Sequence, residues 1–338
     1  KPPIYAAKLV IGFIKNKLSQ YDGLLNHQSL NLIEPETDPF DLGAFHITPF
    51  RVNHSVPDTV GLFMETPVGN LIHAADFKFD WTPVDGRQFE VSKLAELSDK
   101  GVQLLSSDSL GSEREGYTKS EITIQETFEE VIGEAKGQVF ITTISSNVSR
   151  MQQAIAASRK FGRNVCFVGR SIEQNVRVAH SLGYMDFPEE IVVEHKDARN
   201  LPSDKITFII AGCYAQDGSS LDRVSRGEHR SVELKEGATV IFSADPIPGY
   251  YDTIGNMIDR LTIQGASVIY SDIQDNLHVS GHGARGDLML MAGITRPKYF
   301  MPIGGDPRHQ RAYAEMVEAM GHKRDHVFEL HSTDTLMV

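Results

Sequence analysis

The chain has 338 residues, 41% hydrophobic and 23% charged, with a formal net charge of −12. This length exceeds what one hydrophobic core usually fills, so two cores are expected, and the composition excludes a disordered or fibrous chain. No apolar run reaches the roughly 18 residues of a spanning helix, so a cytoplasmic protein without membrane partners is expected, and the acidic balance speaks against broad non-specific nucleic-acid binding while allowing local basic groups in a cleft.

A strand-like phrase runs from Pro2 to Ala7, followed by a helical pattern at Leu9, Ile11, Phe13, Ile14 and Leu18 with lysines on the other face. Short strands are expected at Leu30 to Ile33 and Ala44 to Asn53. A hairpin is expected in which Gly61 to Thr66 and Asn70 to Ala75 flank Pro67-Val68-Gly69, and Val102 to Ser107 reads as a buried strand. The first third is thus strand-rich.

From Gln138 the rhythm changes to alternating strands and helices. Strands are expected at Val139 to Ile144, Val165 to Val168, Ile206 to Ile210, Thr239 to Ser243 and Ser267 to Tyr270, with helices at Val148 to Phe161, Ile172 to Leu182 and Ile254 to Ile263. Such alternation implies a parallel sheet covered on both faces. After Asp272 come a helix (Gly286 to Ala292), a strand (Lys298 to Ile303), a helix (Arg308 to Met320) and a closing strand (Val327 to Leu330), too few to close a core alone. The economical reading is an α/β domain, residues 122–265, inserted between residues 1–121 and 266–338 of a strand-rich domain.

Chemistry-bearing residues cluster in a few phrases. His54 opens the loop Asn53-His54-Ser55-Val56-Pro57-Asp58, and Asp76 ends an apolar strand in His73-Ala74-Ala75-Asp76. His278 and His282 stand four apart in His278-Val279-Ser280-Gly281-His282-Gly283, where the glycines make a loop rather than a helix face. Taken singly, a surface histidine, a turn aspartate and a glycine-rich turn explain them. Cys166 and Cys213 lack CxxC spacing and read as small buried apolar residues.

In order and surroundings, these phrases resemble the ribonuclease J family along nearly the whole chain. Val52 to Asp58 resembles its third metallo-β-lactamase motif, and His73 to Asp80 its fourth. Ser107-Asp108-Ser109 with Gly116-Tyr117-Thr118 resembles the first β-CASP motif, and His278 to His282 the second. Ser145-Ser146-Asn147-Val148 with Arg150, Gly169-Arg170-Ser171 and Pro246-Ile247-Pro248-Gly249 resemble phrases of the inserted domain.

The resemblance implies an α/β fold: a discontinuous metallo-β-lactamase αββα sandwich, here without its N-terminal part, carrying an inserted parallel α/β β-CASP domain. It implies two divalent ions, zinc or manganese, with His54 a ligand and Asp76 a bridge, Asp108 orienting the site, and His278 and His282 on the substrate phosphate, His282 being the better candidate for catalysis. Single-stranded RNA would be held by Ser145, Ser146, Asn147, Arg150 and Arg170, and a homo-oligomer or association with other RNA-decay proteins is expected. The family's HxHxDH motif would lie ahead of Pro2, so the chain alone is expected to be inactive.

Two departures bear on this. Pro302-Ile303-Gly304-Gly305-Asp306 places Gly304 where the family has a second-metal histidine, which weakens the expectation for that ion unless a neighbour such as His309 replaces it. Ala74-Ala75 precedes Asp76 where threonine and glycine are common. The alternatives are a non-catalytic RNA-binding or assembly subunit with a degraded metal site, and a small-molecule hydrolase of the same fold.

Overall fold

A computed structural model describes residues 2–21, 23–244 and 249–337; Pro246-Ile247-Pro248 lies outside them. Two compact units emerge, one of residues 1–120 with 280–338 and the other of residues 121–279.

The first unit opens with β1 (Ile4–Ala6), α1 (Lys8–Leu18) and β2 (Leu30–Leu32), the two strands pairing in parallel. An antiparallel meander follows: β3 (Phe40–Leu42), β4 (Phe45–Arg51), β5 (Val60–Thr66) and β6 (Gly69–His73). The expected hairpin is present, with a two-residue Pro67-Val68 turn because Thr66 pairs directly with Gly69. Then come α2 (Val91–Ser98) and β7 (Leu104–Asp108), which pairs in parallel with β6. The sequence reading missed α2, whose two turns bury only Leu94, Leu97 and Ser98 and so give too short a periodic signal.

The second unit begins with α3 (Thr123–Glu134), then β8 (Val139–Thr142), α4 (Val148–Lys160), β9 (Asn164–Val168), α5 (Arg170–Ser181), α6 (His195–Ala198), β10 (Ile206–Ile210), α7 (Ser220–Ser225), β11 (Thr239–Phe242), α8 (Tyr251–Ile263) and β12 (Ser267–Ile269). Its sheet has the order β12-β11-β8-β10-β9, every pairing parallel, and β8, β10 and β11 are buried along their full length. Two buried faces explain the continuous apolar runs. The return to the first unit falls at Ser280 rather than at 266, because Ser267–Ile269 pairs with Thr239–Ile241 and extends the second unit's sheet.

The return segment supplies α9 (Arg285–Thr295), β13 (Tyr299–Ile303) and α10 (Pro307–Ala319). β13 pairs in parallel with β7, completing a six-stranded mixed sheet of order β13-β7-β6-β5-β4-β3. The register sets Ile303 beside Asp108. The closing strand expected at Val327 to Leu330 is reduced to a single bridge between Val327 and Phe300. Phe50, Phe63, Ile72, Phe77, Leu105 and Phe300 of this unit are all fully buried, each contributing roughly 1.5–3 kcal/mol.

Gly61 lies opposite Phe50, and a Cβ there would come within 2.3–2.9 Å of three Phe50 ring atoms. Phe50 is enclosed and cannot yield, so Gly61→Ala is expected to cost about 1–3 kcal/mol; chemical denaturation midpoints of the two proteins check it.

Candidate metal centre

Three loops of the first unit are stitched together by their backbones. Lys78 N–H donates to Asn53 O (2.9 Å), joining the loop after β4 to the loop after β6, and Gly283 N–H donates to Phe77 O (2.6 Å), adding the loop before α9. The buried Asp287 carboxylate accepts from the N–H groups of Phe79, Thr118 and Ala284 at 3.1, 2.8 and 2.9 Å. Glycine is needed in the third loop for close approach. A Cβ on Gly281 would lie 2.6 Å from the His54 ring, and one on Gly283 would lie 2.6 Å from Asp287 Cβ.

This stitching brings His54, Asp76 and His282 together, one ligand atom of each lying within 4.8 Å of the others. His54 Nδ1 is 2.8 Å from Gly281 O; a carbonyl only accepts, so Nδ1 carries the proton and Nε2 keeps its lone pair, approached by Ser55 Oγ at 3.3 Å. His282 Nδ1 donates to Asp108 Oδ2 at 2.7 Å, which likewise leaves its Nε2 as the ligand atom. The two rings meet edge to face with centroids 5.1 Å apart.

Burial lowers the His54 pKa, with His282 reinforcing and the Gly281 bond, Asp76 and Asp108 opposing, so the neutral form that binds metal is favoured. Burial also acts to lower His282, but the hydrogen bond and charge of Asp108, with Asp76, outweigh it and raise its pKa. Asp108 is fully buried at the end of β7 and its other oxygen accepts from Leu110 N–H at 2.9 Å, so the carboxylate is held in place from both sides. Two imidazoles with fixed tautomers and one carboxylate form a donor set that fits a divalent transition ion.

Asp76 follows Ala75, whose φ of +56° is left-handed. That conformation costs an L-residue about 1–2 kcal/mol and suits glycine, which accounts for the glycine common there in the resembling family. Gly304 has φ +68°, and a Cβ on it would lie 3.6 Å from Asp108 Oδ1, so position 304 does open onto the centre. His309 does not fill in for it. Its Nδ1 accepts from Asp306 N–H at 2.9 Å at the start of α10 and its Nε2 lies 3.3 Å from Glu113, so both ring nitrogens are engaged elsewhere.

The residues expected to hold RNA divide in two. Arg150 does not face solvent: its side chain is 0% exposed, and it donates to Glu121 Oε1 from Nε (2.9 Å) and Nη2 (2.5 Å), to Ser243 Oγ (2.6 Å), and to the carbonyls of Ser243, Leu277 and Val279 at 3.0, 3.4 and 3.5 Å. Glu121 and Val279 are the two ends of the second unit's chain, so one guanidinium fastens both. Asn147, 2% exposed, is the N-cap of α4, its Oδ1 accepting from Arg150 N–H at 3.0 Å. Both expectations are corrected: these side chains are committed inside the protein. Ser145 and Ser146, half-buried after β8, and Arg170, exposed at the start of α5, stay accessible. His278 belongs to the second unit, its Nδ1 3.5 Å from Arg150 Nη1, whereas His282 belongs to the first and lies with His54 and Asp76.

Residues 136–261 match the family described as the ribonuclease J β-CASP domain, and residues 266–328 the Zn-dependent metallo-hydrolase RNA specificity domain. The chain is 35% identical over 336 residues to ribonuclease J of Synechocystis sp., covering 99% of this chain and 52% of that protein. It is 36% identical over 319 residues to ribonuclease J of Thermus thermophilus (94% and 55%) and 31% identical over 334 residues to ribonuclease J2 of Bacillus subtilis (99% and 60%). The chain thus spans about half the length of the curated relatives it matches. A crystal structure of a protein of unknown function from Enterococcus faecalis superposes with a TM-score of 0.61 at 15% identity, over 89% of this chain and 69% of that one, and shares the fold.

The fold and these domains define a metallo-β-lactamase-type fold that carries an inserted β-CASP domain. Within that class, the chain carries the ribonuclease J β-CASP domain and is similar to ribonucleases J over 94–99% of its own length.

Arg150→Ala removes the buried ion pair with Glu121 and the bonds to Ser243, Leu277 and Val279, and a loss of about 3–5 kcal/mol is expected. The salt dependence of RNA binding by the folded remainder should be unchanged. Denaturation and filter binding on one preparation measure both, and a flattened salt slope would return Arg150 to the RNA surface.

Proposed function

We propose that the protein to which this chain belongs hydrolyses phosphodiester bonds in single-stranded RNA at a divalent-metal centre built on His54, Asp76 and His282. The convergence of these three donors, with His282 anchored on buried Asp108, is the observation that carries the reading. It speaks against a non-catalytic subunit, since a decayed centre has no reason to keep two imidazoles with fixed tautomers aimed at one carboxylate. The matched RNA specificity domain supports RNA as the substrate. The inserted α/β domain speaks against a small-molecule hydrolase.

A bound divalent ion supplies an activated water and clamps phosphate oxygens. The chain's own residues do the remainder. His54 and Asp76 hold the ion's position through the stitched loops. Asp108 fixes the His282 ring and keeps its Nε2 directed at the centre. Ser145, Ser146 and Arg170 are the accessible groups offered to the RNA backbone, hydroxyls and a guanidinium suited to phosphate oxygens. His278 is assigned to the substrate phosphate.

In the whole protein, His282→Ala and His54→Ala should each abolish hydrolysis of 5′-labelled single-stranded RNA and weaken zinc and manganese binding. Full activity in His282→Ala would overturn the reading.

Gly304 leaves the centre short of one imidazole, so the whole protein should hold one ion tightly and a second weakly. Gly304→His should strengthen the weak site, tempered by the left-handed backbone's cost of about 1–2 kcal/mol. Calorimetric metal titration decides it, and two equally tight ions in the unmodified protein would contradict the count.

A further inference from the structure

The second unit holds a cavity of about 670 Å³, within the usual range for small-ligand sites, that takes in none of the residues assigned above. One wall is the face of α5 carrying Glu173, Val176, Arg177 and His180, residues one turn apart; Phe167 and Phe187 complete its apolar part. The His180 ring is stacked on Phe187, centroids 4.5 Å apart at 20°, and both residues are only half-buried, so the pair is a flat aromatic shelf that a third ring can extend.

A second cavity, of about 530 Å³, shares Arg199 and Ser231 with the first and adds Arg230 and Lys235. Arg199 is fixed between the two, its Nε donating to Ser231 O at 2.8 Å and its Nη2 to Arg230 O. Across both linings there are five Arg and Lys (Arg177, Lys196, Arg199, Arg230, Lys235) against three Glu (Glu173, Glu194, Glu233), in a chain whose net charge is −12. The acids are partly spent: Glu194 pairs with Lys196 at 3.0 Å, and Glu173 accepts from Gly169 N–H at 3.2 Å. The side chains of Arg177, Arg230 and Lys235 have no ion pair among the described residues. An aromatic shelf beside uncompensated guanidinium groups is the chemistry that binds a base and its phosphate.

We propose that these adjoining cavities form a nucleotide-binding site distinct from the metal centre, with the base stacked on the His180–Phe187 shelf and the phosphate held by Arg199 and Arg230. The nucleotide has two sources, a free mononucleotide or one residue of an RNA chain, and both present the same groups.

The test is calorimetric titration of the whole protein with adenosine monophosphate, with inorganic phosphate, and with a short single-stranded RNA made non-cleavable by phosphorothioates. Adenosine monophosphate should bind more tightly than phosphate, and His180→Ala should weaken it about tenfold, the usual effect of removing one stacking ring. Arg177→Glu, at an exposed position, should weaken it without touching the aromatic floor and guards against a folding defect. If His180→Ala also weakens the RNA, the site holds part of the RNA chain; if only the mononucleotide responds, it holds a free nucleotide. Phosphate binding as tight as the mononucleotide's, or affinities indifferent to both substitutions, would overturn the proposal. His54→Ala should leave mononucleotide binding intact, so failure of the nuclease reading and failure of this site are separable.

Discussion

The candidate metal centre depends on one buried carboxylate. Asp108 is fully enclosed, accepts from Leu110 N–H and binds His282 Nδ1 at 2.7 Å. Burying a carboxylate is costly unless it is hydrogen-bonded, and here the cost is offset by partners that sit on two distant stretches of chain. The carboxylate lies at the end of β7, so its position is fixed by parallel pairing with β6 on one side and β13 on the other. A candidate metal donor, His282, is thereby positioned by the sheet itself, although it stands on a glycine-rich loop.

The same economy appears in the glycines. Gly281 and Gly283 are needed because the loop passes within van der Waals contact of His54, Phe77 and Asp287. A side chain at either position would push the third ligand away from the other two. Arg150 plays the corresponding part in the second unit, where its five donors are spread over Glu121, Ser243 and the carbonyls beside His278. An arginine with that many internal acceptors has little left for a phosphate.

Much of this was legible in the sequence. The parallel sheet of the second unit followed from alternating apolar runs and helices, and the β5–β6 hairpin from its Pro-Val-Gly turn. The resemblance to ribonuclease J singled out His54, Asp76, Asp108 and His282, which the fold brings close together. What escaped was of two kinds. Short elements such as α2 carry too few turns to show a period, whereas α3 did carry one, at Ile124, Phe128, Val131 and Ile132, and was overlooked. Burial of a charged side chain was the other: Arg150 sits in a helix whose neighbours Met151, Ala154 and Ile155 are all buried, yet its own fate depended on Glu121, 29 residues upstream, and no local pattern announces such a partner. The resemblance grouped His278 and His282 on the substrate phosphate, and no local pattern showed that the chain passes from one unit to the other between them.

The most direct measurement of the central claim is an anomalous-scattering map at the zinc absorption edge from crystals of the whole protein. The account predicts an anomalous peak roughly 2.0–2.2 Å from His54 Nε2, an Asp76 carboxylate oxygen and His282 Nε2, with His282 Nδ1 still on Asp108. A bound ion with His282 well outside coordination distance would contradict it.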